Sequence, residues 1–258
     1  MKLVKKKIKG NKVIYRILGI KFSKEIKHKP CMVNKIGNAK NTKVIYTCFT
    51  GNYDNLIQHN CTNLNYDYVC FTDNEELLKQ KKLGIWTIRS LEYNELDNTK
   101  NARWHKTHPH ILFPDYDYSI WIDSNGDILS DKIFKMEEKD LFIPKHFGRD
   151  CIYDECLECV VCKKEKMHNV SAIMDILEKE KMPKHYGLNE TNILMRRHNH
   201  PKIIKLMEEW WSYIKKYSKR DQLSLSYILW KNGINIDDVS FENARFDEGN
   251  YLFVDHRR

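Results

Sequence analysis

From residue 43 onward, short runs rich in β-branched and aromatic residues alternate with stretches of helical periodicity, and no repeat or low-complexity linker divides them. Alternation of this kind admits few architectures, because strands separated by helices pair in parallel through crossovers that cover the sheet. The spacing predicts strands at Lys43–Thr50, Tyr66–Thr72, Ile85–Arg89, Tyr118–Asp123, Leu141–Lys145 and Asn192–Arg196. Helices are expected at Glu75–Lys82, from a Thr99 cap towards Leu112 with Pro109 disturbing the last turn, and, as one or two helices, within Tyr153–Lys181. Pro201 opens a further helix whose Ile203, Met207, Trp210, Trp211 and Ile214 form a core stripe, and Asp221 caps another that ends at Gly233. Residues 41–258 read as one α/β domain with a mixed, mainly parallel sheet and helices on both faces, preceded by an arm of residues 1–40.

The chain carries a net charge of +9, but the excess is local. Residues 1–40 hold 13 Lys or Arg and a single acidic residue, Glu25, for a net of +12; the remaining 31 basic and 34 acidic groups leave the body at −3. A nucleic-acid groove needs positive charge on the folded surface, so the distribution excludes that class. The arm has two readings. If Lys12–Phe22 is helical, Val13, Ile14, Ile17 and Leu18 make an apolar stripe ringed by Lys5, Lys6, Lys7, Lys9, Arg16 and Lys21, the pattern of a peripheral anchor on an anionic membrane face. The alternative is a solvated basic tail or an edge strand at Lys12–Ile20. No stretch has the length of a membrane span and no signal-peptide pattern opens the chain, so a cytoplasmic location, peripheral on the inner membrane face, is expected.

Of eight cysteines, Cys151, Cys156, Cys159 and Cys162 crowd into twelve residues. Their spacing suits a zinc or iron–sulfur loop, but no glycine or proline interrupts Cys156–Met167, and a helix would fan the thiols apart. Buried free cysteines are the favoured reading, and disulfides are not expected.

The densest chemistry lies at residues 118–127, Tyr-Ser-Ile-Trp-Ile-Asp-Ser-Asn-Gly-Asp. A strand alternates its side chains, so Asp123 and Asn125 can point the same way from its carboxyl end, where ligands of open α/β sheets bind. Their oxygens suit a hard cation such as Mg²⁺ or Mn²⁺, which could hold a diphosphate. The plainer alternative is an Asx-rich turn.

Several collinear blocks carry a family resemblance: Thr50-Gly51-Asn52-Tyr53-Asp54, Phe71-Thr72-Asp73, Arg103 and Lys106 with Pro109-His110, and Ser119-Ile120-Trp121-Ile122-Asp123 with Asn125. Lys145-His146 with Arg149, Cys151, Tyr153 and Glu155 follow, then Tyr186-Gly187-Leu188 with Glu190, then Arg220-Asp221-Gln222-Leu223-Ser224. From Val44 to about Tyr227 the chain resembles a glycosyltransferase-like family of GT-A fold, known from plant wall and mucilage proteins and bacterial polysaccharide loci. The resemblance implies a nucleotide-sugar donor, UDP-linked by expectation, and a glycan or glycolipid acceptor. It implies a base lodged near Thr50, Tyr53, Asp54 and Asp73 and a diphosphate at Asp123 and Asn125. Arg103 and Lys106, three apart on a helix, can reach the same phosphates unless they form a solvated face. Asn125 brings no charge, so Asp127 is a candidate third metal ligand through the turn at Gly126, the alternative being greater reliance on Arg103 and Lys106; the late His256 is of the kind that completes such sites, although a lone histidine is more often a surface or core residue.

An inverting transfer needs a carboxylate base, for which Glu190, Asp221 and Glu155 are candidates. Glu155, near His146 and Arg149, can instead bind acceptor or phosphate. Asp221 also suits a helix cap. His105, His108 and His110 fall on a helix with Pro109 and read as packing and capping residues. Two other classes stay open: a binding module of the same fold without turnover, and a cysteine–metal regulatory protein.

Overall fold

The computed structural model describes residues 4–9, 12–17, 20–25 and 29–256. Three strands, β1 (Val4–Lys9), β2 (Lys12–Ile17) and β3 (Ile20–Glu25), pair antiparallel in chain order, with Ile14 opposite Lys7 and Ser23. The helical reading of Lys12–Phe22 is therefore corrected to strands. Val13, Ile14, Tyr15 and Ile17 are β-branched or aromatic, and a paired strand suits such residues better than a helix. The Tyr15 hydroxyl donates to Glu248, and its ring packs with Leu129, Leu252 and Val254, so the arm is fastened to the body.

The remaining elements follow in chain order. They are β4 (Cys31–Val33), β5 (Lys43–Phe49), β6 (Cys61–Asn63), β7 (Asp67–Thr72), α1 (Glu75–Gln80), β8 (Lys82–Leu83) and β9 (Trp86–Arg89). Next come α2 (Asn98–Thr107), α3 (Pro109–Leu112), β10 (Tyr118–Ile122), β11 (Gly126–Ile128), α4 (Lys132–Lys135) and β12 (Leu141–Pro144). Then α5 (Ile152–Val161), α6 (Met167–Lys179), β13 (Ile193–Arg196), α7 (Pro201–Lys216), α8 (Gln222–Lys231), a 3₁₀ turn (Ile236–Val239), β14 (Ser240–Phe241) and β15 (Tyr251–Phe253) complete the described chain. The cap of α2 is Asp97 rather than Thr99: its carboxylate accepts the Lys100 amide at 3.1 Å. Pro109 ends that helix outright and opens α3.

The main sheet has the order β14-β12-β13-β10-β5-β7-β9-β8. Only β13 and β8 run against the other six described strands, so the sheet is mixed and mainly parallel, as expected. β10 is buried on both faces, which is why it reads as an unbroken apolar run. Val44, Tyr46, Trp121 and Leu194 point to one side, against Leu206, Met207, Trp210 and Ile214 of α7 and the interior of α5, α6 and α8. Ile45, Ile120, Ile122 and Met195 point to the other, where Trp86, Ile133 of α4 and the ring of Tyr251 pack, with α1 at the rim through Leu77 and Leu78. Helices thus cover both faces.

Two small ladders complete the edges. β4 pairs with β6 in parallel, with Cys31 opposite Cys61, and these two cysteines form a disulfide across a Cα–Cα distance of 4.4 Å. This overturns the expectation of eight free thiols and ties residues 31–33, counted with the arm, to the body. β11 pairs antiparallel with β15, bringing the C-terminal segment against the residues that follow Asp123. The other six cysteines are free, and Cys156 and Cys159 lie in the core as expected. Burial pushes their thiols up, to about 12 and about 11.

Candidate functional site

The site grows from the end of β10. Asp123 leaves the strand with its amide bonded to the Asn192 carbonyl at 2.9 Å, and a tight turn follows, closed by the Gly126 amide on the Asp123 carbonyl at 2.7 Å. Only glycine suits position 126, because a Cβ there would sit 2.7 Å from Ile122 and 2.9 Å from Phe253. Asp123 keeps 27% of its side chain exposed. Trp121 Nε1 donates to its Oδ1 at 2.8 Å and Lys106 Nζ lies 3.6 Å from the same oxygen, whereas no described residue donates to Oδ2. One carboxylate oxygen is thus held and the other is available.

Asn125 is fixed by the C-terminal segment. Its Nδ2 donates to the Val254 carbonyl at 2.6 Å and its carbonyl accepts the Val254 amide at 3.0 Å, so Oδ1 is the end of the amide turned from that contact. Two residues on, His256 Nδ1 pairs with Asp54 Oδ1 at 2.8 Å, and Asp54 Oδ2 accepts from Ser124 Oγ at 2.6 Å. The half-exposed Tyr53 ring lies 4.6 Å from the His256 ring. Asp123, Asn125 and His256 are oxygen, oxygen and imidazole donors on neighbouring backbone, a set that fits Mn²⁺ or Mg²⁺ with phosphate and water completing the shell.

Asp127 does not join them. Its Oδ1 accepts the Asn60 amide at 2.8 Å and its Oδ2 accepts Asn60 Nδ2 at 2.6 Å, with His59 Nδ1 3.9 Å away. His59 packs on Trp86, on the far face of the sheet from Trp121, so Asp127 is held by the segment before β6.

Beneath Asp123 lies a buried charge network. Lys106 is fully buried and donates to Asp221 Oδ2 at 2.6 Å; Arg103 Nε is 3.4 Å from the same oxygen, and Thr191 Oγ1 donates to it at 3.0 Å. Burial alone would raise the Asp221 carboxyl, but Arg103 and Lys106 hold it far below the usual carboxylate range. Burial pushes the Lys106 ammonium down, against the pull of Asp221 and Asp123. Two expectations change as a result. The Asp221 carboxylate is buried and engaged by two cations, and Lys106, sealed from solvent, faces Asp123 rather than reaching outward. Arg103 retains an exposed edge, and Asp221, Asp123 and Tyr53 raise its basicity over the opposing effect of burial.

Glu190 is buried on the same side of the site, linked to Asp123 through Asn192. Its Oε1 accepts Arg245 Nε at 3.2 Å and its Oε2 accepts Asn192 Nδ2 at 3.1 Å, and Asn192 is the residue bonded to the Asp123 amide. Burial raises its pKa, with Asp123 adding to the effect and Arg245 and Asn192 opposing it. Glu155 is different: its Oε2 is clasped by Arg149 Nε at 2.6 Å and its Oε1 accepts from the Cys159 thiol at 3.5 Å, so it holds the loop after β12.

Near the first strands, Thr50 Oγ1 donates to the Asn98 carbonyl at 2.7 Å, and both Asp73 oxygens accept the Gly51 amide at 3.0 and 2.9 Å. These residues brace the loop that presents Tyr53. His105, His108 and His110 are packing groups, as expected; His108 stacks on Trp104 and His110 meets Glu208. Sequence reasoning missed Ser124, Arg245 and Arg196. Arg196 is fully buried and donates through Nη1 to the Lys106 carbonyl at 2.8 Å and through Nη2 to the Tyr46 hydroxyl. A charged residue inside an apolar strand was its signal; Arg245 had none, since a loop arginine is ordinary.

Comparison with known proteins places this geometry in context. The probable hexosyltransferase MUCI70 of Arabidopsis thaliana is 25% identical over 194 residues, 62% of this chain and 32% of that protein, so the chain spans about a third of the relative's length. Among solved structures, the apo WbbM bifunctional glycosyltransferase aligns with TM-score 0.45 at 11% identity over 83% of this chain and 40% of its own. Mouse xyloside xylosyltransferase 1 in its apo form aligns with TM-score 0.42 at 9% identity over 79% and 85%. At these scores the fold description rests on the sheet itself. Residues 26–251 match the family described as TOD1/MUCI70, glycosyltransferase-like domain, and the chain belongs to that family.

Proposed function

We propose that this domain transfers a sugar from a nucleotide-diphosphate donor to a polysaccharide or glycolipid acceptor, with Mg²⁺ or Mn²⁺ held by Asp123, Asn125 and His256. The observation that carries the proposal is the paired arrangement of Asp123 and Glu190. One is a strand-tip carboxylate with a free oxygen; the other is a buried carboxylate with raised pKa, joined to it through Asn192. Family membership supports the same reading.

Breaking an anomeric bond to a diphosphate places the catalytic burden on the charge that develops on the leaving group. The ion, when bound, neutralises part of that charge as a Lewis acid. Arg103 adds a fixed positive charge whose guanidinium is kept in place by Asp221. Lys106 and Trp121 hold Asp123 in one orientation, so the ligand oxygen needs no reorganisation. Tyr53, exposed beside His256, offers a ring for the base of a uridine-type donor, on a loop braced by Asp73 and Thr50. Glu190 accepts the proton of the acceptor hydroxyl, for which a raised pKa is the useful property. The basic arm supports peripheral contact with an anionic membrane face near a lipid-linked acceptor.

The test is a panel of nucleotide sugars with manganese, read both as donor hydrolysis and as thermal stabilisation by the nucleotide diphosphate. Stabilisation by nucleotide plus Mn²⁺ together with slow hydrolysis that vanishes in Asp123→Ala supports transfer. Stabilisation without hydrolysis or transfer across the panel would make the domain a binding module, and absence of any thermal response would sink the donor site.

A further inference from the structure

We propose that Cys151, Asp154 and His185 form a second cation site, for a thiophilic divalent ion of the zinc class, distinct from the hard-cation ligands at Asp123. One ligand atom from each of the three lies within 4.8 Å of the other two, and among the described residues this is the group of three acidic, histidine or cysteine side chains that converges so closely. Cys151 is buried, caps the N-terminus of the ten-residue α5 through its backbone, and makes no side-chain hydrogen bond to any described residue. Asp154 sits one turn further along the same helix edge, and both it and His185 are exposed.

The histidine is already arranged as metal-binding histidines are. His185 Nδ1 bonds to Asp150 Oδ1 at 2.8 Å, so that in the neutral ring Nε2 carries the lone pair a metal would take. The same segment is tied again by the Gly187 amide on the Asp150 carbonyl at 2.8 Å. Tetrahedral bonds of about 2.0–2.3 Å separate ligand atoms by roughly 3.5 Å, so an ion would draw the three together by about one ångström. Thiolate with imidazole and carboxylate selects zinc-like ions, whereas the oxygen set at Asp123 selects Mg²⁺ or Mn²⁺. The fourth position would go to water or to a ligand in the adjoining cleft of about 250 Å³, lined by Lys145, His146, Arg149, His185 and Asp237. An ion there would pin residues 183–187 to the start of α5 and so steady the backbone leading to Glu190.

The experiment is titration of the chelator-stripped chain with Co²⁺ in excess Mg²⁺, read by the sulfur-to-cobalt charge-transfer band and the ligand-field bands of a tetrahedral ion. One equivalent should develop both, Zn²⁺ should displace it, and Cys151→Ser should abolish the charge-transfer band while Cys162→Ser and Asp123→Ala keep it. Because Cys151 is buried, the exposed variants His185→Ala and Asp150→Asn serve as second measurements. The first should abolish tight binding and the second should weaken it roughly ten- to hundredfold. No charge-transfer band in the parent chain, a band that survives Cys151→Ser, or unchanged affinity in His185→Ala would overturn the assignment.

Discussion

Lys106 and Asp221 meet 2.6 Å apart in a fully enclosed ion pair, on helices α2 and α8, with the Asp123 carboxylate 3.6 Å from the same ammonium. The pair links the packing of two helices to the orientation of the residue on which the proposed chemistry depends.

Asp221→Asn leaves Lys106 buried without its counter-charge, and the expected loss is about 3–5 kcal/mol of stability, measured by urea denaturation. The double variant Lys106→Met with Asp221→Leu should recover a large share of that stability and remain inactive. Recovery of activity along with stability would show that the pair has no part in holding Asp123.

Asp123→Ala, by contrast, removes a partly exposed carboxylate at a strand tip. Its stability should stay within about 1 kcal/mol of the parent. Turnover should fall about a thousandfold or more, as expected when charge stabilisation at the leaving group is lost. Melting curves and initial rates on the same preparation separate the two effects.

For Glu190 acting as a base, activity is lost as pH falls through its raised pKa, because only the carboxylate accepts a proton. Arg245 lowers that pKa, so Arg245→Met should move the acid limb of the kcat profile to higher pH, and Glu190→Gln should remove activity at every pH. An acid limb that stays in place in Arg245→Met would point to a different base.

Thiol titration in denaturant should find six reactive groups without reductant and eight after reduction, given the Cys31–Cys61 bond among eight cysteines. Cys31→Ser with Cys61→Ser should cost about 3 kcal/mol, the scale for a loop of this length. Eight thiols before reduction would refute the bond.

The strands β5, β7, β10 and β13 and the helices α7 and α8 were legible because burial on both faces, helical spacing, Pro201 and Asp221 are local signals. Asp123 and Asn125 were legible for the same reason, at the abrupt end of an apolar run. What could not be read was pairing between distant elements. The meeting of Lys106 with Asp221 depends on how α2 and α8 both pack on α7, and the three-residue strands β11 and β15 have too little sequence to show a period. The arm misled because Val13, Ile14 and Ile17 fit a helical stripe as well as a strand, and register across three strands decided it. Four crowded cysteines drew attention from the two, thirty residues apart, that a parallel pairing joins.

The ladder between β11 and β15 has a consequence for how the protein comes into being. The turn bearing Asp123 and Asn125 is finished by residues made more than a hundred positions later, among them Val254 and His256. A nascent chain threading out from its N-terminus can therefore build the sheet and most of its helices while its pocket stays unassembled, and competence would switch on only once β15 zips against β11.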